Sequence, residues 1–341
     1  MNAWRDNIGI VLMNSGSPAS PDPRDIRPYL IEFLSDKRIV DLPSVVWQPI
    51  LRGIVSRTRP KKTAPRYRSI WTPEGSPLLV TSLAQRDALN ERFLSKESPF
   101  RAEIAMRYGA PSVDDAINGL MEKGFTRIAC LPLFPQTSFC TTASCLDAFG
   151  AAMERHPDAS NAGALPGYAE DAGYLGALAA SIRQAWDFEP GDKLLLTFHS
   201  IPLSYTEKGD TYADEAQRGM TRLAQMLGLD REDWAIAYHS RFDESRAWLS
   251  PSPETVIDAW AAQGVRNVVV AAPGFSADCL ESLYDLDVVL RERFMNAARS
   301  TTASFVYVPA LGARSDHIDA LEQIIHSSFP ASCSYRHEAC F

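Results

Sequence analysis

Short apolar runs alternate with segments of helical periodicity along most of the chain, and this alternation restricts the fold more than any other feature. The runs at residues 8–13, 193–198 and 268–272 are apolar almost throughout. Strands of that kind are buried on both faces, as in a parallel sheet with helices on each side. The intervening segments carry helix start and stop signals, such as Ser112 before one and Gly264 after another. We therefore predict an α/β protein.

The two halves of the sequence resemble each other. AINGLMEKGFTRIACLPLF in the first half parallels VIDAWAAQGVRNVVVAAPGF in the second, and each stretch predicts a helix, a glycine, a strand, then proline and phenylalanine. A chain of 341 residues also exceeds the usual size of a single core. We predict two similar doubly wound, Rossmann-like lobes with parallel sheets, at residues 1–165 and 166–328, and a short cysteine-containing tail at 329–341. Ligands of such sheets bind beyond the carboxyl ends of the strands.

Composition and charge argue against several classes of partner. The chain is 45% hydrophobic and 22% charged, as in ordinary globular proteins, and its net charge of −8 argues against nucleic-acid binding. Its apolar runs are too short to cross a bilayer, and the N-terminus lacks the basic and apolar regions of a signal peptide, so we expect a cytoplasmic protein. The basic segment 57–68, RTRPKKTAPRYR, is either a solvated loop or a dock for an anion or an anionic membrane surface.

Candidate chemistry lies at two predicted strand ends. His199 directly follows a buried strand, which would hold an imidazole able to exchange a proton near neutral pH or bind a metal. Asp278, Glu281 and Asp285 follow the strand at 268–272 with spacings of three and four, which predicts one helix face. A histidine facing these carboxylates indicates a divalent-metal path or a proton relay. The alternatives are a structural histidine and a solvated acidic stripe.

Other catalytic signatures are absent from the sequence. It has no P-loop, no dinucleotide-binding glycine motif after the first strand and no G-x-S-x-G nucleophile elbow, which argues against nucleotide binding and serine hydrolysis. Trp248 lies in a predicted loop, where it either packs in the core or lines a pocket. A large, flat, apolar and anionic ligand would account for the aromatic residues and the basic segment together.

Several of these stretches together resemble the ferrochelatases, the enzymes that insert ferrous iron into a porphyrin. The motifs are FHSIPLSYTEKGDTY around His199, PGFSADCLESLYDLD around Glu281, and LMNSGSP, FLSDKRIVDLP, YRSIWTPEGSPL, LPLFPQTSFCTTAS, YHSRF with AWL, and YVPALGARSDHIDALEQII. They occur in the family's order from about residue 8 to residue 328. The resemblance implies a class II chelatase-like fold. It also implies a lyase that forms protohaem from protoporphyrin IX and Fe²⁺ with release of two protons, the terminal step of haem biosynthesis.

The resemblance also implies roles for individual residues. His199 matches the family's active-site histidine and Glu281 its catalytic glutamate, and both contact ferrous iron in the family. Asp278 and Asp285 match acidic positions of a metal or proton path. The implied porphyrin pocket includes five further residues: Ser15, Tyr67, Arg68, Ser76 and Trp248.

Two departures from the family pattern bear on substrate choice. Ser15 replaces a bulkier residue that packs against the porphyrin in relatives, and Phe134 stands where a tyrosine is common. The alternatives are a coproporphyrin III ferrochelatase, a cobalt chelatase of the same fold acting on a reduced tetrapyrrole, and a non-catalytic haem or metal carrier. A cobalt enzyme would usually have a histidine in place of Glu281, and a carrier would not need both His199 and Glu281.

The cysteines raise the question of an iron–sulfur cluster. Some ferrochelatases bind a 2Fe–2S cluster through one internal and three C-terminal cysteines. Here the tail offers Cys333 and Cys340, while Cys140 and Cys145 lie near the internal position. A cluster needs four thiolates. These cysteines therefore either bind a cluster, with two internal and two tail ligands, or are free. The resemblance further implies porphyrin and ferrous iron as partners and allows a peripheral membrane contact.

Overall fold

The computed structural model describes residues 7–241, 246–298 and 302–329, and within these ranges the strands form two four-stranded parallel sheets. The first sheet, in the order β2-β1-β3-β4, consists of β1 (Ile8–Gly16), β2 (Phe100–Tyr108), β3 (Arg127–Pro132) and β4 (Ser160–Ala164). The second, in the order β6-β5-β7-β8, consists of β5 (Lys193–His199), β6 (Trp234–His239), β7 (Asn267–Ala271) and β8 (Ser304–Val308). Each sheet places its first strand between its second and third, so the prediction of two similar doubly wound lobes is confirmed.

Helices surround both sheets. Those of the first lobe are α1 (Pro23–Ser35), α2 (Ser44–Ile50), α3 (Ser56–Ile70), α4 (Pro77–Ser95), α5 (Val113–Met121) and α6 (Ser144–Arg155), with π-helical turns at Leu51–Val55 and Phe139–Ala143. Those that follow are α7 (Ala172–Ala185), α8 (Leu203–Glu207), α9 (Tyr212–Leu227), α10 (Pro253–Ala262), α11 (Arg291–Ala298) and α12 (Ser315–Ser328), with a 3₁₀ turn at Arg231–Asp233 and a π-helical stretch at Glu281–Leu290. In the ranges that the structure describes, no helix is both long and apolar enough to cross a bilayer.

Local sequence signals explain where several helices begin and end. Ser112 and Asp115 exchange hydrogen bonds in a capping box at the start of α5. The side chain of Ser252 accepts a hydrogen bond from the backbone N–H of Thr255 at the start of α10. Gly228 ends α9 in the left-handed conformation that glycine adopts without strain. The start of α5 after Ser112 and the end of α10 two residues before Gly264 agree with the signals read from the sequence.

The basic segment 57–68 is helical, so the alternative of a solvated loop is wrong, while the alternative of a dock for an anion or a membrane surface stays a prediction. It lies inside α3 although Pro60 and Pro65 each remove a backbone donor from the helix. Ala64 and Tyr67 are buried in a small hydrophobic cluster shared with α1, whereas the basic side chains of the segment are exposed. Tertiary packing of the buried face therefore outweighs the local preference of the sequence.

One hydrophobic core joins the two lobes. Ile10 and Leu12 of β1 belong to the same buried cluster as Leu196 and Phe198 of β5, together with residues of α4, α7 and α12. This shared core holds the carboxyl ends of the two sheets in one arrangement. The division of the chain near residue 165 stays a prediction.

The close approach of β1 to β2 requires a glycine at residue 16. Gly16 has a φ angle of +106°, and a Cβ atom there would lie 1.9 Å from the carbonyl oxygen of Tyr108. No L side chain fits both conditions. The glycine therefore allows β1 to end directly beside β2, at the edge where ligands of such sheets bind.

Candidate active site

His199 is the last residue of β5, at the carboxyl edge of the second sheet, and its side chain is half-buried. Its ring Nδ1 lies 2.8 Å from the carbonyl oxygen of Ser200. Because a carbonyl oxygen only accepts hydrogen bonds, Nδ1 is the donor, and in the neutral ring Nε2 keeps the lone pair. The imidazole thus retains one nitrogen that can accept a proton or bind a metal ion.

Ser200 fixes the backbone next to this histidine. Its N–H donates a 2.8 Å hydrogen bond to the carbonyl of His239, and its hydroxyl donates a 3.1 Å bond to the carbonyl of Leu249. On the other side, Phe198 is fully buried in the shared core. The histidine therefore stands on a backbone that is restrained from both sides.

A second histidine, His239, lies beside His199, and its motif YHSRF was noticed only as part of the resemblance. The two residues are opposite each other in the pairing of β5 with β6, and their ring centroids are 5.7 Å apart. His239 is buried, and neither ring nitrogen has a hydrogen-bond partner. Burial, and next the neighbouring His199, hold the pKa of His239 well below its usual value, so the ring is neutral. Its position at the end of a strand, the signal that identified His199, could have found it.

Glu281 begins the π-helical stretch that follows β7 and a short connection. Because β7 pairs directly with β5, this connection leaves the sheet at the same edge as His199. The half-buried carboxylate lies near Tyr29 and Tyr67, whose pKa values are raised mainly by burial and also by the charge of Glu281. Burial, then the charge of Glu281, likewise raises the pKa of Cys279. Glu281 therefore faces α1 and α3 of the first lobe.

Asp278 does not share a helix face with Glu281, which corrects the prediction of a three-carboxylate stripe. It precedes the helix and accepts hydrogen bonds from the hydroxyls of Ser282, at 2.8 Å, and Tyr307, at 2.7 Å. The backbone N–H of Ala310 donates a third bond, at 3.2 Å. Burial raises the pKa of Asp278, and these hydrogen bonds oppose the rise. The helical spacing does not apply here because residue 278 lies before the helix begins, and its side chain is directed to the end of β8.

Asp285 and Glu281 are the two carboxylates that the structure brings together. Burial, and then the charge of Glu281, raise the pKa of Asp285 to about 6. The guanidinium of Arg66 lies 3.5 Å from the Asp285 carboxylate and opposes this rise. The same guanidinium lies 5.3 Å from the centroid of the Tyr284 ring. Arg66 thereby connects α3 to the π-helical stretch Glu281–Leu290.

Ser15 and Trp248 lie near this edge. Ser15 is half-buried at the end of β1 and follows Asn14, whose amide nitrogen lies 3.4 Å from the hydroxyl of Ser276 in the connection that precedes Glu281. Trp248 is buried and pairs with Pro202, on the chain that leaves His199. Its indole N–H has no hydrogen-bond partner.

Trp248 is also covered from one side by Arg246. The Arg246 guanidinium lies 4.8 Å from the centroid of the Trp248 ring and forms a 2.7 Å ion pair with Asp41 of the first lobe. A cation over an aromatic face is favourable when it is partly desolvated. This contact links the loop that carries Trp248 to the segment between α1 and α2.

The other predicted pocket residues are arranged differently. Tyr67 is buried, lies beside Tyr29 and packs edge-on against Trp71, with ring centroids 6.0 Å apart. Ser76 is also buried and flanks the start of α4. Arg68 is exposed and lies near Asp22 at the start of α1. The structure thus groups Tyr67 with Glu281 and leaves Arg68 at the surface.

The structure gives no support to a 2Fe–2S cluster. Cys145 is buried, its pKa is raised to about 12 chiefly by burial, and it packs on the face of the first sheet opposite to the shared core. Cys140 packs against the shared core and donates a hydrogen bond to the carbonyl of Arg38. Cys333 and Cys340 lie outside the described residues. Among the residues that the structure describes, no group of three or more His, Cys, Asp or Glu side chains could hold a metal ion.

Comparison with known proteins gives a consistent result. The family model of ferrochelatases matches residues 7–329. The chain is 41% identical over 320 residues to the ferrochelatase of Azoarcus sp. (strain BH72), which covers 94% of this chain and 87% of the relative. It is 39% identical over 322 residues to the ferrochelatase of Actinobacillus pleuropneumoniae serotype 5b (strain L20). This match covers 94% of this chain and 98% of the relative.

Solved structures agree on the fold. The sirohydrochlorin chelatase SirB from Bacillus subtilis subspecies spizizenii, in complex with cobalt, superposes with a TM-score of 0.50 at 11% identity and covers 94% of this chain and 95% of its own. This likeness concerns the fold alone and confirms the predicted chelatase-like architecture. Taken with the family match and the sequence relatives, it leads to one conclusion: the chain belongs to the ferrochelatase family, the lyases that insert ferrous iron into a porphyrin in haem biosynthesis.

Proposed function

We propose that the protein inserts Fe²⁺ into protoporphyrin IX to form protohaem. The observation that carries this proposal is the position of His199 and Glu281: an imidazole with a free Nε2 ends β5, and a carboxylate follows β7, the strand paired with β5. Insertion breaks two pyrrole N–H bonds, forms bonds from the pyrrole nitrogens to iron and releases two protons. It therefore needs a base and donor atoms for the ion, which these two residues supply.

His199 and the carboxylates divide the proton chemistry between them. Nε2 of His199 accepts a pyrrole proton, and the hydrogen bond from Nδ1 to the carbonyl of Ser200 keeps the ring oriented throughout. Glu281 binds the ion and exchanges protons with Asp285. With a pKa of about 6, Asp285 changes its charge close to neutral pH and can pass the second proton to water. Asp278 acts as a positioning residue, because three hydrogen bonds already use its oxygens.

The remaining pocket residues fit a porphyrin between the lobes. Ser15 and Trp248 form walls beside the ends of β1 and β5, and the indole N–H of Trp248 is buried without a hydrogen-bond partner. Tyr67 supports Glu281 from α3, and Ser76 is buried at the start of α4. Arg68, on the exposed side of α3, suits a propionate at the rim of the pocket. Binding energy spent on bending the macrocycle would expose the nitrogen lone pairs.

An anaerobic insertion assay with Fe²⁺ tests the choice of porphyrin. We expect a higher kcat/KM for protoporphyrin IX than for coproporphyrin III, because the additional propionates of the latter require more cations at the rim. The reverse order would identify the protein as a coproporphyrin ferrochelatase and refute our choice. Porphyrin binding without any turnover would instead favour a carrier.

Two substitutions test the assigned roles. His199→Ala and Glu281→Gln should each lower insertion by about 10²-fold or more, the usual contribution of a general acid or base, and leave porphyrin binding nearly intact. Glu292→Gln is a matched control, because Glu292 is exposed on α11, the helix that continues from Glu281. Full turnover in either active-site variant would refute its role.

We further propose that α2 contacts the cytoplasmic face of an anionic membrane. Val45, Val46 and Ile54 are 85%, 55% and 62% exposed, and the exposed basic side chains of α3 follow them. Apolar residues next to cations suit the interface of an anionic bilayer. The double variant Val45→Asp/Val46→Asp should cosediment with anionic vesicles less than wild type, while Leu94→Asp, at an exposed apolar residue on α4, should not. Equal sedimentation of all three proteins would contradict the proposal.

We propose that Cys140 and Cys145 serve as packing thiols. Their separate cores and the raised pKa of each, to about 12, chiefly through burial, support this role. Protein purified without oxygen should be colourless. Charge-transfer bands in its visible spectrum, lost on Cys140→Ala, would demonstrate a cluster and refute the proposal.

A further inference from the structure

Two unfavourable features coincide at the end of β6. His239 is only 4% exposed, and both of its ring nitrogens lack hydrogen-bond partners. A buried polar group left unpaired lowers the stability of the fold. The next residue, Ser240, has a φ angle of +61°, a left-handed conformation that is costly for a residue other than glycine. Unpaired buried polar groups and backbone strain cluster at functional sites, so the His239 ring is a candidate for binding a ligand.

The position of the ring identifies the kind of ligand. His239 faces His199 across paired strands, with ring centroids 5.7 Å apart and ring planes at 67°. Two imidazoles bound to one ion, with bonds of about 2.0–2.1 Å, have centroids roughly 5–6 Å apart. Nδ1 of His199 is used by Ser200, which leaves Nε2 as its donor, whereas both nitrogens of His239 are unused. The ring of Phe275 packs against His239 from another side, at 5.8 Å.

We propose that His239 is a second imidazole ligand, which together with His199 binds the incoming divalent transition-metal ion before it enters the porphyrin. This inference rests on the proposed function, in which His199 lies at the reaction site. It adds that Nε2 of His199 holds the ion first and accepts a pyrrole proton after the ion has left it. Imidazole nitrogen is a suitable donor for Fe²⁺, Co²⁺ and Zn²⁺ and a poor one for Mg²⁺ or Ca²⁺. The two histidines therefore favour transition-metal ions over Mg²⁺ and Ca²⁺ before insertion into the porphyrin.

A site with two protein ligands suits transfer rather than storage. In the described part of the chain, no third His, Cys, Asp or Glu side chain completes a cage around the two rings. An ion held by two protein ligands would take its remaining ligands from water and could exchange them for the pyrrole nitrogens. A closed four-ligand site would instead retain the metal, as structural zinc sites do.

Titration calorimetry with Co²⁺ alone, in the absence of porphyrin, tests this site. We expect wild type to bind one ion, and His239→Gln to weaken the affinity by about tenfold or more while porphyrin binding and the unfolding temperature stay close to wild type. His156→Gln is the matched control, because it also removes one imidazole, one whose ring contacts Asn118 at 3.1 Å instead of His199. In the insertion assay, His239→Gln should raise the KM for Fe²⁺ about tenfold and leave the KM for porphyrin unchanged.

Each result separates this inference from the proposed function. Unchanged Co²⁺ affinity in His239→Gln overturns the assignment of His239 as a second ligand. His199 remains a metal ligand in that case if His199→Ala binds Co²⁺ more weakly than wild type. Unchanged affinity in both variants overturns the two-histidine site, whereas the proton-accepting role of His199 is tested separately by the insertion activity of His199→Ala. A further measurement needs no variant, because a ligated imidazole shows a hyperfine-shifted ring N–H signal in the proton NMR spectrum of the Co²⁺ protein. Such signals from two rings support the pair, and a signal from one ring overturns it.

Discussion

Replacing Asp285 by asparagine should stabilise the folded protein at neutral pH and leave its stability near pH 4 almost unchanged. In the folded state, burial and then Glu281 raise the pKa of this carboxyl from 3.8 to about 6. Between these two values the folded state binds more protons than the unfolded state, so the free energy of unfolding falls as the pH rises. Above about pH 6 the charged carboxylate destabilises the fold, and below about pH 4 it is neutral in both states and has no effect.

The size of the effect follows from the shift and from the surroundings of the side chain. A shift of about two pKa units corresponds to about 3 kcal/mol. The Asp285 side chain is 33% exposed, so solvent screens part of this penalty. Asparagine also loses the ion pair with Arg66, which is 3.5 Å long in the native chain. We therefore expect the variant to gain about 1–2 kcal/mol at pH 8.

Urea unfolding of wild type and variant at pH 4, 6 and 8 measures this difference. Asp258→Asn is the matched control, because a hydrogen bond from Arg293 lowers the pKa of Asp258, and its loss should therefore reduce stability at pH 8. Insertion activity of Asp285→Asn should fall while its stability rises, as expected for strain kept at a functional site. An equal gain at pH 4 and pH 8, or no gain at pH 8, would refute the claim that the buried charge is the cause.

Two further substitutions test residues at the end of β1 and at the end of α1. Gly16→Ala should destabilise the protein by about 3 kcal/mol or more, because the alanine would be left-handed and its Cβ would clash with the carbonyl of Tyr108. Thermal unfolding measures this loss, with Gly53→Ala as the control because nothing lies within 4 Å of a Cβ at residue 53. Equal losses of stability in the two variants would contradict the reasoning. Asp36→Asn should lower the free energy of unfolding by about 3 kcal/mol or more. Burial alone would raise the pKa of Asp36, but hydrogen bonds, including 2.5 Å bonds from Ser144 and Arg107, hold it below its usual value. Wild-type stability of Asp36→Asn in urea would show that this buried network contributes nothing.

Much of the architecture was predictable because it depends on local patterns. The apolar runs predicted the strands, and capping residues such as Ser112 and Gly264 predicted helix ends. The strand-end rule selected His199, and the helix after β7 selected Glu281, since parallel strands present their carboxyl ends at one edge. Where the sequence misled, a contact with a distant element had replaced a local rule. Asp278 bonds to Tyr307 across the sheet instead of joining the acidic helix face.

The sequence alone determined the order of strands and helices, the duplication of the lobes and the residue types available for metal and proton chemistry, because periodicity and capping act over a few residues. Only the tertiary structure decided which of those residues meet. It kept the basic segment helical through packing against α1, sent Cys140 and Cys145 to separate cores, and brought His239 against His199. Pairings of that kind join residues dozens of positions apart, and they follow from strand register and shared burial, which neighbouring residues do not encode.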